Sequence, residues 1–136
     1  MRRRILLVDD HPVVRQGLAL LINQKPDLLV CGEAAGLEEG LAAARALHPD
    51  LAVVDLSLGG KDGLTLIELL KDQFPNLPIL VFSMHDEQIA AERALRVGAQ
   101  GYIMKQDALS HFFLAVQQVL KGEIYLSDKM RRRLLP

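Results

Sequence analysis

The chain has 136 residues, half of them apolar, and a formal net charge of −1. That length fits one compact domain able to bury enough surface to fold without disulfides or a structural metal. The near-zero charge argues against a nucleic-acid site built on a basic surface of this segment. The single cysteine, Cys31, excludes an intramolecular disulfide. Lying in the apolar run Leu28–Cys31, it reads as a buried small hydrophobe. Met1–Arg4 is followed by only four apolar residues, which is too few for a signal peptide, and no apolar run reaches the length of a membrane span. The expectation is a soluble, cytoplasmic protein.

In chain order, short apolar runs alternate with longer amphipathic stretches. The runs are Ile5–Val8, Leu28–Cys31, Leu51–Val54, Ile79–Phe82 and Gly101–Met104. Continuous apolar runs, without polar alternation, suit strands covered on both faces. The intervening stretches have helical spacing: Val14, Leu18, Leu21 and Ile22; Leu37, Leu41, Ala44 and Leu47; Leu66, Ile67, Leu69 and Leu70; Ile89, Ala90, Ala94, Leu95 and Val97; Leu109, Phe112, Phe113, Val116, Val119 and Leu120. Pro12 suits a first helical position. Pro26, Pro49 and Pro75 follow helical stretches, and Gly98 and Gly122 can close two more. Five strand–helix units in strict alternation predict a parallel sheet with helices on both faces. Residues 1–122 form the expected domain, and 123–136, with the run Arg131-Arg132-Arg133, reads as the start of a linker or a short extra helix with a solvated basic face.

Ligands of open α/β sheets bind beyond the carboxyl ends of the strands, so the residues closing each strand carry the chemistry. The first strand ends in Asp9-Asp10, the third in Asp55 and the fourth in Ser83, and Lys105 follows the fifth. Clustered carboxylates repel one another unless a cation sits among them. Hard oxygen donors with room for water suit Mg²⁺. A carboxylate beside such an ion can attack phosphorus and give an acyl phosphate, with a lysine and a hydroxyl meeting the phosphoryl oxygens. Each residue alone has a plainer reading as a helix cap, a turn residue or a surface lysine. Their coincidence at four strand ends is the specific signal.

The segments Ile5–Pro12, Asp50–Ser57, Asp62–Leu64, Ile79–Asp86 and Gly98–Lys105 make the sequence similar, over essentially its whole length, to the receiver domains of two-component response regulators. The wording Asp9-Asp10-His11-Pro12, Ser83-Met84-His85-Asp86 and Gly101-Tyr102-Ile103-Met104-Lys105 most resembles the NarL/FixJ transcription-factor subfamily. The resemblance implies a flavodoxin-like (βα)5 doubly wound sheet in strand order 2-1-3-4-5. It implies Asp55 as phosphoacceptor and Mg²⁺ (or Mn²⁺) held by Asp10, Asp55 and the backbone carbonyl of Ser57, with Asp9 acting through water. Ser83 and Lys105 become the switch hydroxyl and the phosphate contact, Tyr102 the aromatic that turns with Ser83, and Ser57 and His85 the positions that tune dephosphorylation, with His85 equally readable as an exposed loop residue. It also implies a histidine kinase as phosphodonor, a homodimer on phosphorylation, and transcriptional output through a helix-turn-helix domain beyond Pro136. The receiver then touches DNA only through that domain and is a signalling module, not an enzyme. A stand-alone receiver that works through a protein partner, or passes phosphate onward, is the alternative.

Two departures from the family pattern stand out. Leu58-Gly59 replaces the usual Met-Pro after the phosphoacceptor, and Gly59-Gly60 should loosen that turn. Gln106 replaces a proline after Lys105, which makes a cis peptide costly there. His11 reads as a helix-start residue, and His48 and His111 as structural or exposed, with no histidine pair at metal-ligand spacing. Phe112 and Phe113 read as core. Two enzyme or cofactor classes fit poorly. An aspartyl-phosphate hydrolase similar to the haloacid dehalogenase group wants a second acid two residues after its nucleophile, where Ser57 stands. A dinucleotide-binding module wants a Gly-x-Gly-x-x-Gly turn after the first strand, and none is present.

Overall fold

A computed structural model describes residues 2–58, 63–84 and 87–134. The elements run β1 (Arg3–Val8), α1 (Pro12–Asn23), β2 (Leu28–Ala34), α2 (Leu37–Leu47), β3 (Leu51–Val54), α3 (Gly63–Gln73), β4 (Ile79–Ser83), α4 (Glu87–Arg96), β5 (Gly101–Met104), α5 (Leu109–Leu120) and α6 (Asp128–Leu134). The strands form one parallel sheet in the order β2-β1-β3-β4-β5, as expected of a flavodoxin-like fold. Alternation along each strand divides the core in two. Leu6, Val8, Ala52, Val54, Ile79 and Val81 face one side, where they meet Leu41 and Ala44 of α2, Leu66, Ile67 and Leu70 of α3, and Ala91 and Ala94 of α4. Ile5, Leu7, Val53, Leu80 and Ile103 face the other, against Leu18 and Ile22 of α1 and Phe112, Ala115, Val116 and Val119 of α5. Both sides of the central strands are thus covered, which is why Ile5–Val8 of β1, all of β3 and Ile79–Phe82 of β4 are apolar.

The punctuation works as the sequence suggests. Pro12 opens α1, while Gly98 (φ 113°) and Gly122 (φ 87°) take the left-handed conformation after α4 and α5. His48 closes α2 in the same region (φ 47°). No cis peptide occurs among the described residues, so the bond after Lys105 is trans.

Cys31 departs from expectation, being only half-buried. β2 is an edge strand that pairs with β1 alone, and the register skips Cys31 between the pairs Ile5–Val30 and Leu6–Gly32. An extra residue in a bulge at a sheet edge is turned partly out of the core. Phe112 is buried, whereas Phe113 lies at the margin of the same cluster.

Beyond Gly122 the chain returns to the sheet. The Tyr125 N–H donates to Gln100 O (3.0 Å) and the Tyr102 N–H to Tyr125 O (3.0 Å), extending the β5 edge. Leu126 and Met130 are buried in the same core as Tyr102, Ala91 and Ala94, and α6 rests on α4. No described helix is long and apolar enough to cross a membrane.

Candidate functional site

Strand register brings the candidate residues together. Val8 pairs with Val54, so the residues that follow them, Asp9 and Asp55, leave adjacent parallel strands at the same level. The Asp55 N–H donates to Val8 O (2.9 Å), continuing the ladder by one step. On the far side of β3, Ser83 pairs with Met104, and the Lys105 N–H donates to Ser83 O (2.8 Å). The ends of β1, β3, β4 and β5 therefore form one rim, and the long Lys105 side chain crosses it.

Lys105 Nζ lies 2.8 Å from Asp9 Oδ2 and 3.2 Å from Asp55 Oδ2. All three side chains are buried, at 6% exposure for Lys105, 9% for Asp9 and 1% for Asp55. Asp55 Oδ1 accepts the Ser57 N–H (3.2 Å), which ties the carboxylate to the loop that follows it. Asp9 is braced through its backbone: its N–H donates to Ala34 O (3.0 Å) and its carbonyl accepts from Arg15 Nη1 (2.7 Å). Arg15 in turn pairs with Glu33 (3.0 Å). This bracket from α1 is a positioning feature that the sequence reading missed. Arg15 lies one helical turn beyond His11, the only signal that could have pointed to it.

His11 occupies the N-cap of α1, as expected of a helix-start residue, but its ring also enters the cluster. Nδ1 is 2.9 Å from Asp9 Oδ1, 3.3 Å from Asp10 Oδ1 and 3.4 Å from Asp55 Oδ2. It is also 3.0 Å from Lys105 Nζ. Asp9, Asp10, His11 and Asp55 can each direct one ligand atom so that all lie within 4.8 Å of one another.

Ser83 is fully buried at the end of β4, Ser57 is half-buried, and Tyr102 is 1% exposed in the core that contains Leu126 and Met130. His48 lies at the other end of the sheet, at the C-terminus of α2, and His111 is exposed on α5. His85, Asp86, the Gly59-Gly60 turn and Asp62 lie outside the described residues. A hollow of about 730 Å³ opens at the opposite end of the strands beside Arg3, His48, Phe74 and Lys121, and none of the rim residues lines it.

Three carboxylates face one ammonium, which leaves the cluster electronegative. The oxygen donors of Asp9, Asp10 and Asp55, gathered this closely, fit a hard divalent cation such as Mg²⁺. A carboxylate oxygen held 3.2 Å from an ammonium is placed to meet a tetrahedral anion whose charge that ammonium shares.

The family model of the response regulator receiver domain matches residues 5–117. The nitrate/nitrite response regulator NarL of Escherichia coli K12 is 37% identical over 126 residues, covering 93% of this chain and 58% of NarL. The methanol utilization control regulatory protein MoxX of Paracoccus denitrificans is 41% identical over 129 residues, covering 93% of this chain and 57% of MoxX. The chain thus spans less than two thirds of the length of these relatives. Among solved structures, a LuxR-family two-component response regulator from Aurantimonas sp. SI85-9A1 superposes with a TM-score of 0.91 at 33% identity, over 97% of this chain and 94% of that one. The isolated receiver domain of RcsB from Salmonella enterica serovar Typhimurium, solved with the phosphomimetic BeF3−, superposes with a TM-score of 0.86 at 27% identity, over 97% and 98% of the two chains. The chain belongs to the response regulator receiver domain family, and its relatives lie in the NarL/LuxR branch.

Proposed function

We propose that this receiver takes a phosphoryl group onto Asp55 from a phosphohistidine of a sensor histidine kinase and relays the event by a change of conformation. The observation that carries the reading is the Lys105 ammonium held between Asp9 and Asp55 on adjacent strand ends. Asp10, Asp55 and the Ser57 carbonyl would hold Mg²⁺ directly, and Asp9 through water. Bound there, Mg²⁺ supplies charge neutralisation for the incoming phosphoryl oxygens.

The residues of the chain do the rest. An Asp55 carboxylate oxygen forms the new bond to phosphorus as the phosphorus–nitrogen bond of the donor breaks, and the leaving imidazole keeps the bonding pair and takes up a proton. Lys105 exchanges its contacts with Asp9 and Asp55 for the phosphoryl oxygens, and the Ser83 hydroxyl donates to another. Positioning and charge account for the step, with no separate general base required. Closure of Ser83 favours the inward rotamer of Tyr102, the aromatic that joins β5 to the C-terminal segment. Water attack on the acyl phosphate returns the carboxylate, with Ser57 and His85 setting its rate.

For the whole protein we propose transcription control, with DNA bound through a separate output domain and a homodimer formed on phosphorylation, acting in the cytoplasm. The similarity to NarL supports this. So does the similarity to RcsB, which has been solved bound to a promoter in the presence of BeF3− and as two dimers on parallel DNAs. The test of the central claim is intact mass after incubation with acetyl phosphate and Mg²⁺. A single phosphoryl adduct that is absent from Asp55→Asn is expected. An unmodified mass, or an adduct that persists in Asp55→Asn, overturns the proposal.

A further inference from the structure

We propose that His11 is an additional ligand of the divalent cation and gives the site a preference for ions that accept imidazole, such as Mn²⁺ and Ni²⁺. The inference rests on reading the acidic cluster as a cation site, and it concerns a side chain to which that reading assigns no part.

Geometry is the first argument. Two neighbouring ligands of a six-coordinate ion with bonds of about 2.1 Å lie about 3.0 Å apart. His11 Nδ1 stands 3.3 and 3.4 Å from oxygens of Asp10 and Asp55, the two carboxylates assigned to the ion directly, close to the edge length of such an octahedron. The ring is also placed before any ion arrives. Pro12 confines the residue before it to extended backbone, and His11 adopts φ −95°, ψ 98°. The His11 N–H donates to Asp9 Oδ1 (2.9 Å), a second restraint on the same residue. The backbone that carries the ring is therefore fixed before any ion binds.

Hydrogen-bond accounting is the second argument. Lys105 carries only donors, so its 3.0 Å contact requires Nδ1 to accept. The carboxylate oxygens of Asp9, Asp10 and Asp55 carry only lone pairs, so their contacts require Nδ1 to donate. One nitrogen cannot do both. A cation removes the conflict: the Nδ1 lone pair joins those of Asp10 and Asp55 on one acceptor, Asp9 is reached through water, and Lys105 keeps Asp9 and Asp55 as its partners.

The consequence is selectivity. Mg²⁺ prefers oxygen and keeps several waters, so it gains little from a nitrogen donor. Affinity of imidazole-containing sites rises along the first-row series toward Ni²⁺. His11 therefore raises affinity for Mn²⁺ and Ni²⁺ without raising it for Mg²⁺.

The test uses the chain loaded with Mn²⁺ and compares it with His11→Ala and Asp10→Asn. Pulsed electron paramagnetic resonance should detect hyperfine coupling to a directly bonded nitrogen in the unmodified chain and lose it in His11→Ala. Calorimetric titrations should show the ratio of Ni²⁺ to Mg²⁺ affinity falling by about tenfold in His11→Ala. Nitrogen coupling that is missing from the unmodified chain, or that survives in His11→Ala, overturns the role of His11 alone. Mn²⁺ binding that survives undiminished in Asp10→Asn overturns the underlying cation site, and the inference with it.

Discussion

Lys105 Nζ stands 3.2 Å from Asp55 Oδ2, and the same ammonium lies 2.8 Å from Asp9 Oδ2, so one buried cation restrains two buried carboxylates. Removing it leaves both without their counter-charge. Lys105→Met keeps the length of the side chain and should cost about 3 kcal/mol in metal-free buffer, the usual scale for breaking a buried pair from one side. Added Mg²⁺ should return part of that loss, because it replaces the missing positive charge. Urea denaturation with chelator and with Mg²⁺ measures both effects, and an unchanged midpoint in chelator would mean that the pair does not hold the rim together.

Gly63 should tolerate no side chain. A Cβ there would fall on the backbone of Leu56 and 2.5 Å from the carbonyl oxygen of Asp55. The Gly63 N–H also donates to Leu56 O (3.3 Å), tying the start of α3 to the residues that follow β3. Backbone cannot yield as a flexible side chain can, so Gly63→Ala should cost about 2 kcal/mol and displace Asp55. Slower phosphorylation together with a lower denaturation midpoint is expected. Wild-type values for both would show that the loop has room to shift.

The segment after α5 should behave as part of the same folding unit. Met130 of α6 is fully buried in the core that holds Tyr102. Met130→Ala should therefore cost about 3 kcal/mol, as other deletions of buried Met, Leu or Ile side chains do. The chain has no tryptophan and two tyrosines, Tyr102 and Tyr125, both at this junction. Tyrosine emission thus reports the docking of this segment directly. A single unfolding transition shared by tyrosine emission and circular dichroism is expected, and an earlier separate change in emission would refute it.

The thiol of Cys31 should react slowly at neutral pH. Partial burial raises its pKa, and the nearby Arg4 offsets this only in part. A free thiol titrates near pH 8.5 or so. The half-maximal rate of alkylation should therefore fall above that value, because the thiolate is the reacting form. The linkage sign follows. The unfolded chain releases this proton first, so the contribution of Cys31 to stability is retained at lower pH and declines as pH rises through the free-thiol range. Alkylation as fast as that of a small free thiol at every pH would contradict the assigned environment.

Much of this protein can be read along the chain. Five apolar runs, four of them closed by a polar residue and each followed by a helix of matching period, determine an alternating α/β fold, because strands buried on both faces must be apolar throughout while helices need only one apolar stripe. The same runs place Asp9, Asp10, Asp55 and Ser83 at strand ends, with Lys105 just beyond the last. What the linear order cannot express is adjacency across the sheet. Only the pairing of Val8 with Val54 sets Asp9 beside Asp55, and only the reach of Lys105 from β5 joins them. The half-burial of Cys31 was equally invisible, since a bulge on an edge strand is a matter of register and not of composition. His11 shows the difference most clearly. Its place before Pro12 determined a helix start, a local matter of backbone angles. Its ring meets three carboxylates and a lysine only because β1, β3 and β5 end at the same rim, a long-range arrangement decided by packing.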